Sequence, residues 1–494
     1  MILSLAVLAA APQVNFSRFV LDVPGQIIET QRVDADGDGL VEFWLASFEG
    51  ERRYLNLFEQ QPGGGFPAQP TKRFPVSKAV VAWAVGDFVE EEESVAELIF
   101  TTRDAVYLQP LGGRPSKIHS QGFLLDVPAT DQLPVWEEVV DIDGDGLDDI
   151  VLPTRSGYLM LKGNGDVIAE IPWQPREARA PTASRDLFGG AAKATMSSGK
   201  LDALFVPNES AGILEKPPLL FSSISLPRPV LIDINRDGLL DFSFVEELNL
   251  RVHLQEQDHS FKRRPQKKFN LPGLGGADNE ELKWGHWSGG PEADLMLVRS
   301  DSGWSLSREW TVRIWIDPLS KGNLKEPSFV RKAEGSWVGM YLNDVDGDAL
   351  TDLVISAWEL EIGLTLSEPS VEHNLALFRG VNGSGDKVFD TRAALAHSRD
   401  YAVNDLDNFS LVPALTADLT GDGKLDLLEN SGKGELEIHH VIENGQFRIS
   451  DPVQRVPVDA LAAVVLLEDL NDDGVGDFLV RHYSFWEVYL SRGS

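Results

Sequence analysis

The chain has 494 residues, 43% of them apolar, and a formal net charge of −33 from 44 Lys+Arg against 77 Asp+Glu. That balance argues against nucleic acid or an anionic membrane surface as a partner and favours cations. The lack of any cysteine removes disulfides, thiolate zinc sites and cysteine nucleophiles.

The first twelve residues, MILSLAVLAAAP, form an apolar run in which Ala9-Ala10-Ala11 matches the small-residue pattern of a signal-peptidase site. Residues 1–12 therefore read as a signal peptide, and the chain as secreted, periplasmic or displayed at the cell surface. A short N-terminal strand is the competing reading, because no basic stretch precedes the run. No other segment approaches the ~18 apolar residues needed to cross a bilayer, so no membrane span is expected.

An acidic pattern, D-x-[DNT]-x-D-G-x-x-[DE] followed by an apolar run, then recurs along residues 13–494. The first copy offers Asp34, Asp36, Asp38 and Glu42, and the next full copy Asp141, Asp143, Asp145 and Asp149. Between them, GDFVEEEESVAELIFTT around Asp87 holds the same place with its acids displaced by a glutamate insertion. After a stretch at 173–227 that reads as an insertion, the series resumes with Asp233, Asn235, Asp237 and Asp241. FKRRPQKKF, at 261–269, is a basic cluster that reads as a solvated hairpin. HWSGGPEADLMLVRS around His286 keeps only its last acid, Asp294, and opens a region holding half of the twelve tryptophans. Trp284, Trp287 and Trp304 there form a candidate sugar-stacking platform, weighed against ordinary core packing. The last three copies supply Asp344, Asp346, Asp348 and Asp352; Asp418, Thr420, Asp422 and Asp426; and Asp469, Asn471, Asp473 and Asp477. Ala349 alone replaces the glycine of the pattern.

First positions at 34, 87, 141, 233, 286, 344, 418 and 469 are separated by 53, 54, 92, 53, 58, 74 and 51 residues. Most of these steps have the length of a four-stranded propeller blade. Within the third unit, WEEVVDI, DDIVLPT, SGYLMLKG and DVIAEIPW are short β-rich runs bounded by turn residues, as in a meander. The expected fold is thus all-β, a single β-propeller of about eight four-stranded blades, with seven to nine allowed by the long step. The last unit supplies three strands, and FVLDVP at 19–24, which matches FLLDVP at 123–128 in the outer-strand position of the second unit, is the candidate fourth. Pairing the two ends would close the ring and remove its open sheet edges.

Oxygen ligands at positions 1, 3, 5 and 9, with a backbone carbonyl at 7, suit a hard cation such as calcium. An EF-hand would need a glutamate at position 12 and a helix beyond it, whereas Leu152 and Ile355 stand there and a strand follows. Together, the loops and their period resemble the FG-GAP/VCBS repeats of integrin alpha chains and many secreted bacterial proteins. That resemblance implies a propeller with up to six structural Ca²⁺ ions and ligands taken on the opposite face. Thr420 departs from it as a poorer ligand. No Ser/His/Asp order, zinc spacing or phosphate loop is present, and His439-His440 alternate across a strand. The reading is a non-catalytic binding, adhesion or scaffold module for a carbohydrate or protein partner. A polysaccharide lyase or hydrolase built on the propeller is the alternative.

Overall fold

A computed structural model describes residues 14–492 apart from 35–36, 63, 91–95, 174–227, 247, 272–279, 301–306, 323, 362–369, 382–386, 403–411, 413, 432–433, 444 and 459–463. After β1 (Asn15–Asp22), the strands fall into successive antiparallel sheets of four. Blade I is β2 (Gln26–Val33), β3 (Glu42–Glu49), β4 (Arg52–Phe58) and β5 (Lys72–Val76). Blade II is β6 (Ala82–Gly86), β7 (Glu97–Thr101), β8 (Val106–Pro110) and β9 (Ser116–His119). Blade III is β10 (Val139–Val140), β11 (Asp149–Pro153), β12 (Gly157–Lys162) and β13 (Val167–Pro172). Blade IV is β14 (Val230–Ile232), β15 (Asp241–Glu246), β16 (Asn249–His253) and β17 (Lys267–Asn270).

Blade V is β18 (Glu280–Gly285), β19 (Asp294–Ser300), β20 (Arg308–Trp315) and β21 (Phe329–Gly335), with one helical turn, α1 (Pro318–Lys321), after its third strand. Blade VI is β22 (Trp337–Asn343), β23 (Asp352–Glu361), β24 (Ser370–Phe378) and β25 (Leu395–Ala402). Blade VII is β26 (Ala414–Ala417), β27 (Asp426–Asn430), β28 (Glu435–His439) and β31 (Gln454–Pro457), interrupted by the small hairpin β29 (Ile442–Glu443) and β30 (Gln446–Phe447). Blade VIII is β32 (Val464–Glu468), β33 (Asp477–Arg481) and β34 (Phe485–Arg492), completed by β1.

The second strands explain why these sequences fold as blades. Each is a short apolar run, such as Asp149–Pro153 or Asp477–Arg481, buried on both faces because both faces meet a neighbouring blade. Apolar clusters then alternate with blades around the ring. Ala84, Ile99, Ile150 and Leu161 join blades II and III, and Tyr158, Met160, Phe242 and Phe244 join III and IV. Leu21, Phe43, Leu479 and Trp486 join blade VIII to blade I. Blades III and IV pack directly on each other, and the described residues form eight blades; residues 174–227, within the stretch read as an insertion, lie outside the described residues.

Ring closure is as expected: β1 pairs with β34 in unbroken antiparallel register from Asn15 opposite Arg492 to Asp22 opposite Phe485. One detail differs. FLLDVP at 123–128 is not the outer strand of blade II, which is Ser116–His119. Phe123 and Leu125 instead plug the core between blades II and III, with Phe123 bridging to Thr154. The likeness to residues 19–24 reflects shared burial, since Leu21 and Val23 are also core residues.

Leu21→Ala should test the closing strand. Deleting this fully buried side chain is expected to cost about 2–5 kcal/mol in urea or thermal unfolding, as for other buried leucines.

Candidate metal loops and ligand cleft

The six acidic repeats all lie between the first and second strands of their blades, on one face of the ring. Each loop is shaped from within. Asp34, Asp141, Asp233, Asp344, Asp418 and Asp469 accept the backbone N–H of the sixth loop residue at 2.6–2.9 Å. Asp38, Asp145, Asp237, Asp348, Asp422 and Asp473 accept that of the seventh at 2.8–3.0 Å. The sixth residue sits at φ between 65° and 90°, which glycine adopts freely and Ala349 adopts under strain.

The ninth position behaves differently. An acid begins the second strand of all eight blades, as Glu42, Glu97, Asp149, Asp241, Asp294, Asp352, Asp426 and Asp477, each at most 1% exposed. In six blades it accepts the N–H of the second loop residue at 2.8–3.1 Å, from Phe88, Ile142, Ile234, Val345, Leu419 and Leu470. The other carboxylate oxygen of Asp241, Asp352 and Asp477 accepts the N–H of Gln255 and Gly380, just past the third strand, and of Ser491, near the end of it. One carboxylate therefore staples two loops of its blade. Glu97 and Asp294 keep this role in the two blades without an acidic loop, Asp294 through Ser288 N–H at 2.7 Å. Burial pushes Asp149 up to about 7 and Asp241, Asp352 and Asp477 up to about 6.

The loops also link blades. Backbone N–H groups of Asp148, Ala293, Leu425 and Gly476 bond to the carbonyls of Asp87, Ile234, Val345 and Asp418 in the preceding blade, at 2.6–3.1 Å.

Two loops gather three acids. Asp141, Asp143 and Asp149 in blade III, and Asp344, Asp346 and Asp348 in blade VI, each place an oxygen within 4.8 Å of the others and could hold a metal ion. Asp143 Oδ1 and Asp346 Oδ1 are buried with no hydrogen-bond partner, as a cation-facing oxygen would be. In both loops a basic side chain also enters: Lys162 Nζ lies 2.5 Å from Asp143 and 2.7 Å from Asp145, and Arg379 Nη2 lies 2.8 Å from Asp346 and 2.9 Å from Asp348. Elsewhere the acids are not drawn together among the described residues. Asn235 and Asn471 donate their amides to Asp237 and Asp473, Thr420 bonds within its own turn to Asp418, and His440 Nδ1 sits 3.1 Å from Asp426. Asp36 lies outside the described residues.

Of the tryptophan platform, Trp284 is buried between blades IV and V with its Nε1 donating to Ser243 Oγ. Trp287 packs against the core between V and VI, and Trp304 lies outside the described residues. The first two thus face opposite sides of blade V and share no open surface. His439 and His440 also diverge, one towards Glu429 and the other towards Asp426.

On the opposite face, a cleft of about 840 Å³ opens between blades II and III. It is lined by Lys78, Arg103, Asp104, Phe123, Val127 and Arg155, among others. A buried ionic network lies between blades VI and VII, where Glu429 is bonded to His397 at 3.0 Å and Arg399 at 2.7 Å, and Arg399 continues to Glu437 at 3.0 Å. Burial opposes ionisation of Glu429, but His397 and Arg399 outweigh it and hold its carboxyl down to about 2.

No protein-family model matches the chain, and no curated protein sequence does. Similar solved structures include BBS1N in complex with ARL6DN, at 8% identity and TM-score 0.39 over 97% of both chains. An Agrocybe aegerita lectin that recognises non-reducing terminal N-acetylglucosamine matches at 12% identity and TM-score 0.34, over 78% of this chain and 90% of its own. The V. cholerae biofilm matrix protein Bap1 matches at 12% identity and TM-score 0.26, over 94% and 76%. At these identities nothing about ligand or partner passes from those proteins to this chain.

Asp294→Ala should cost about 2–4 kcal/mol, because it strands buried N–H donors, and chelator should leave that cost unchanged, since blade V has no acidic loop. The pH response of chelator-treated protein also follows. Carboxyls with raised folded pKa values take up protons on folding, so their contribution is present at acid pH and lost as pH rises through about 6–7. Stability in thermal melts should therefore rise from pH 8 towards pH 5. Glu429 runs the other way, and its contribution is lost only as pH falls from its unfolded range towards about 2.

Proposed function

We propose that the chain is a calcium-stabilised, non-catalytic binding propeller that acts outside the cytoplasm and takes an acidic glycan ligand in the cleft between blades II and III. The repeats resemble the FG-GAP/VCBS pattern, and calcium suits them because their donors are hard carboxylate oxygens. Further ions would sit in loops beyond the two clusters, up to six in all. In each loop the ion would also offset the burial cost of the ninth-position carboxylate and firm the loop-to-loop bonds between blades.

The cleft carries the functional reading. Its volume suits a small ligand, Phe123 and Val81 give it an apolar floor, and Val127 is 61% exposed at its edge. Lys78, Arg103 and Arg155 line it, and none of them is in an ion pair among the described residues, although the chain carries a net −33. Exposed guanidinium groups beside an apolar floor suit a carboxylate-bearing sugar, although Asp104 also lines the cleft. A protein partner presenting a carboxylate is the other outcome that binding assays would separate.

A glycan array comparing neutral with uronate- or sialate-bearing sugars, run on the protein and on Arg103→Gln/Arg155→Gln, tests this. Binding confined to the acidic sugars and weakened about tenfold or more by the double substitution is expected. Retention of full binding by the variant would refute the cleft. Chelation should lower the melting temperature, and an unmoved melting point would refute structural calcium.

A further inference from the structure

The loops of blades III and VI hold the two acid clusters, and they are also the two into which the third strand sends a permanently charged side chain. This is a matter of register. Lys162 ends β12 directly opposite Asp149. Arg379 follows the Leu353–Phe378 pair, which places it opposite Asp352 at the same point of blade VI. Both therefore rise beside the ninth-position acid and reach the third- and fifth-position aspartates at 2.5–2.9 Å. The same register position in blade I holds Glu59, one residue past the Phe43–Phe58 pair and bonded to Lys72 rather than to the loop. In blades IV and VIII it holds Leu254 and Leu490, one residue past the Phe242–His253 and Phe478–Tyr489 pairs.

We infer that Lys162 and Arg379 are tethered counter-cations that compete with a divalent ion for the loops of blades III and VI, making these attenuated metal sites. The inference rests on the calcium reading above. The contested atoms are identifiable. A calcium ion needs six to eight oxygens, so it would call on Asp143 and Asp145, or Asp346 and Asp348, whose outer oxygens already face the ammonium or guanidinium group. Asp143 Oδ1 and Asp346 Oδ1 are buried and remain without a partner. The side chain thus satisfies part of each cluster and leaves one buried, unpartnered oxygen for the ion. These loops hold their acids together without metal, and a metal gains affinity only by pushing the basic group aside or by tolerating its charge nearby.

The experiment is calcium titration of the chelator-stripped full chain by calorimetry, with bound metal counted by mass spectrometry. Wild type is compared with Lys162→Met, Arg379→Met and the exposed control Lys72→Met. Each of the first two should raise the affinity of one weak site at least about fivefold, the smallest effect of removing a unit charge a few ångströms from the ion even at the dielectric of water. Lys72→Met should change nothing. Lys162→Arg, which keeps the charge, should restore weak binding. Thermal melts in chelator should show Lys162→Met less stable than wild type, and calcium should reverse the order. If wild type and variants bind equally tightly, or the variants bind more weakly, the competition is overturned while structural calcium stands. If none of them binds calcium, the calcium reading itself fails.

Discussion

The carboxylate that opens the second strand of every blade is the constraint on which the rest hangs. It is buried to within 1% of complete, and in seven blades it accepts a backbone N–H from the loop before it and, in several, another from the far end of the third strand. An ionised group held this far from water is tolerable only with such partners. Because the same acid survives in blades II and V, where the rest of the pattern is gone, loop stapling is its basic duty. The acid clusters that could hold a cation are added to that frame in two blades. The first- and fifth-position aspartates serve first as turn formers, since they are occupied by amides of their own loops.

This division of labour explains what was legible in the sequence. The period, the strand-loop-strand order and the closing partnership of the two ends could be read because each leaves a local mark: turn residues, apolar runs and a three-strand final unit. Glu97 escaped notice because the glutamate insertion at 90–93 shifts it out of the nine-residue frame. Lys162, Arg379 and His440 escaped for a different reason. They join the loops through strand pairing, thirteen or more residues downstream, and no short pattern encodes a cross-strand neighbour. The tryptophans mislead in the opposite sense, since nearness along the chain says nothing about which side of a blade a ring will face. Trp284 and Trp287, three apart, serve two separate cores.

The two faces of the ring are chemically unlike. One carries the acidic loops, bonded from blade to blade, and is where charge is concentrated and managed. The other carries the second-to-third strand turns, and there the segment 121–127 wedges between blades II and III and leaves a basic-rimmed hollow. The wedge is itself held by the blades it separates, through Phe123 and Leu125. The hollow therefore rests on packed β-structure rather than on a free loop, and its shape is set before anything enters it.

Closure by β1 has a bearing on how the molecule is made. The partner of Asn15 is Arg492, so the first strand of the ring must wait for its last one before it can pair. Until then blade VIII lacks its rim, the flank of blade I has no neighbour, and Leu21 has no pocket. Contacts this distant along a chain form late and slowly. Until β34 is in place, the apolar residues of NFSRFVLD have no partner strand and are open to pairing with foreign sheet edges.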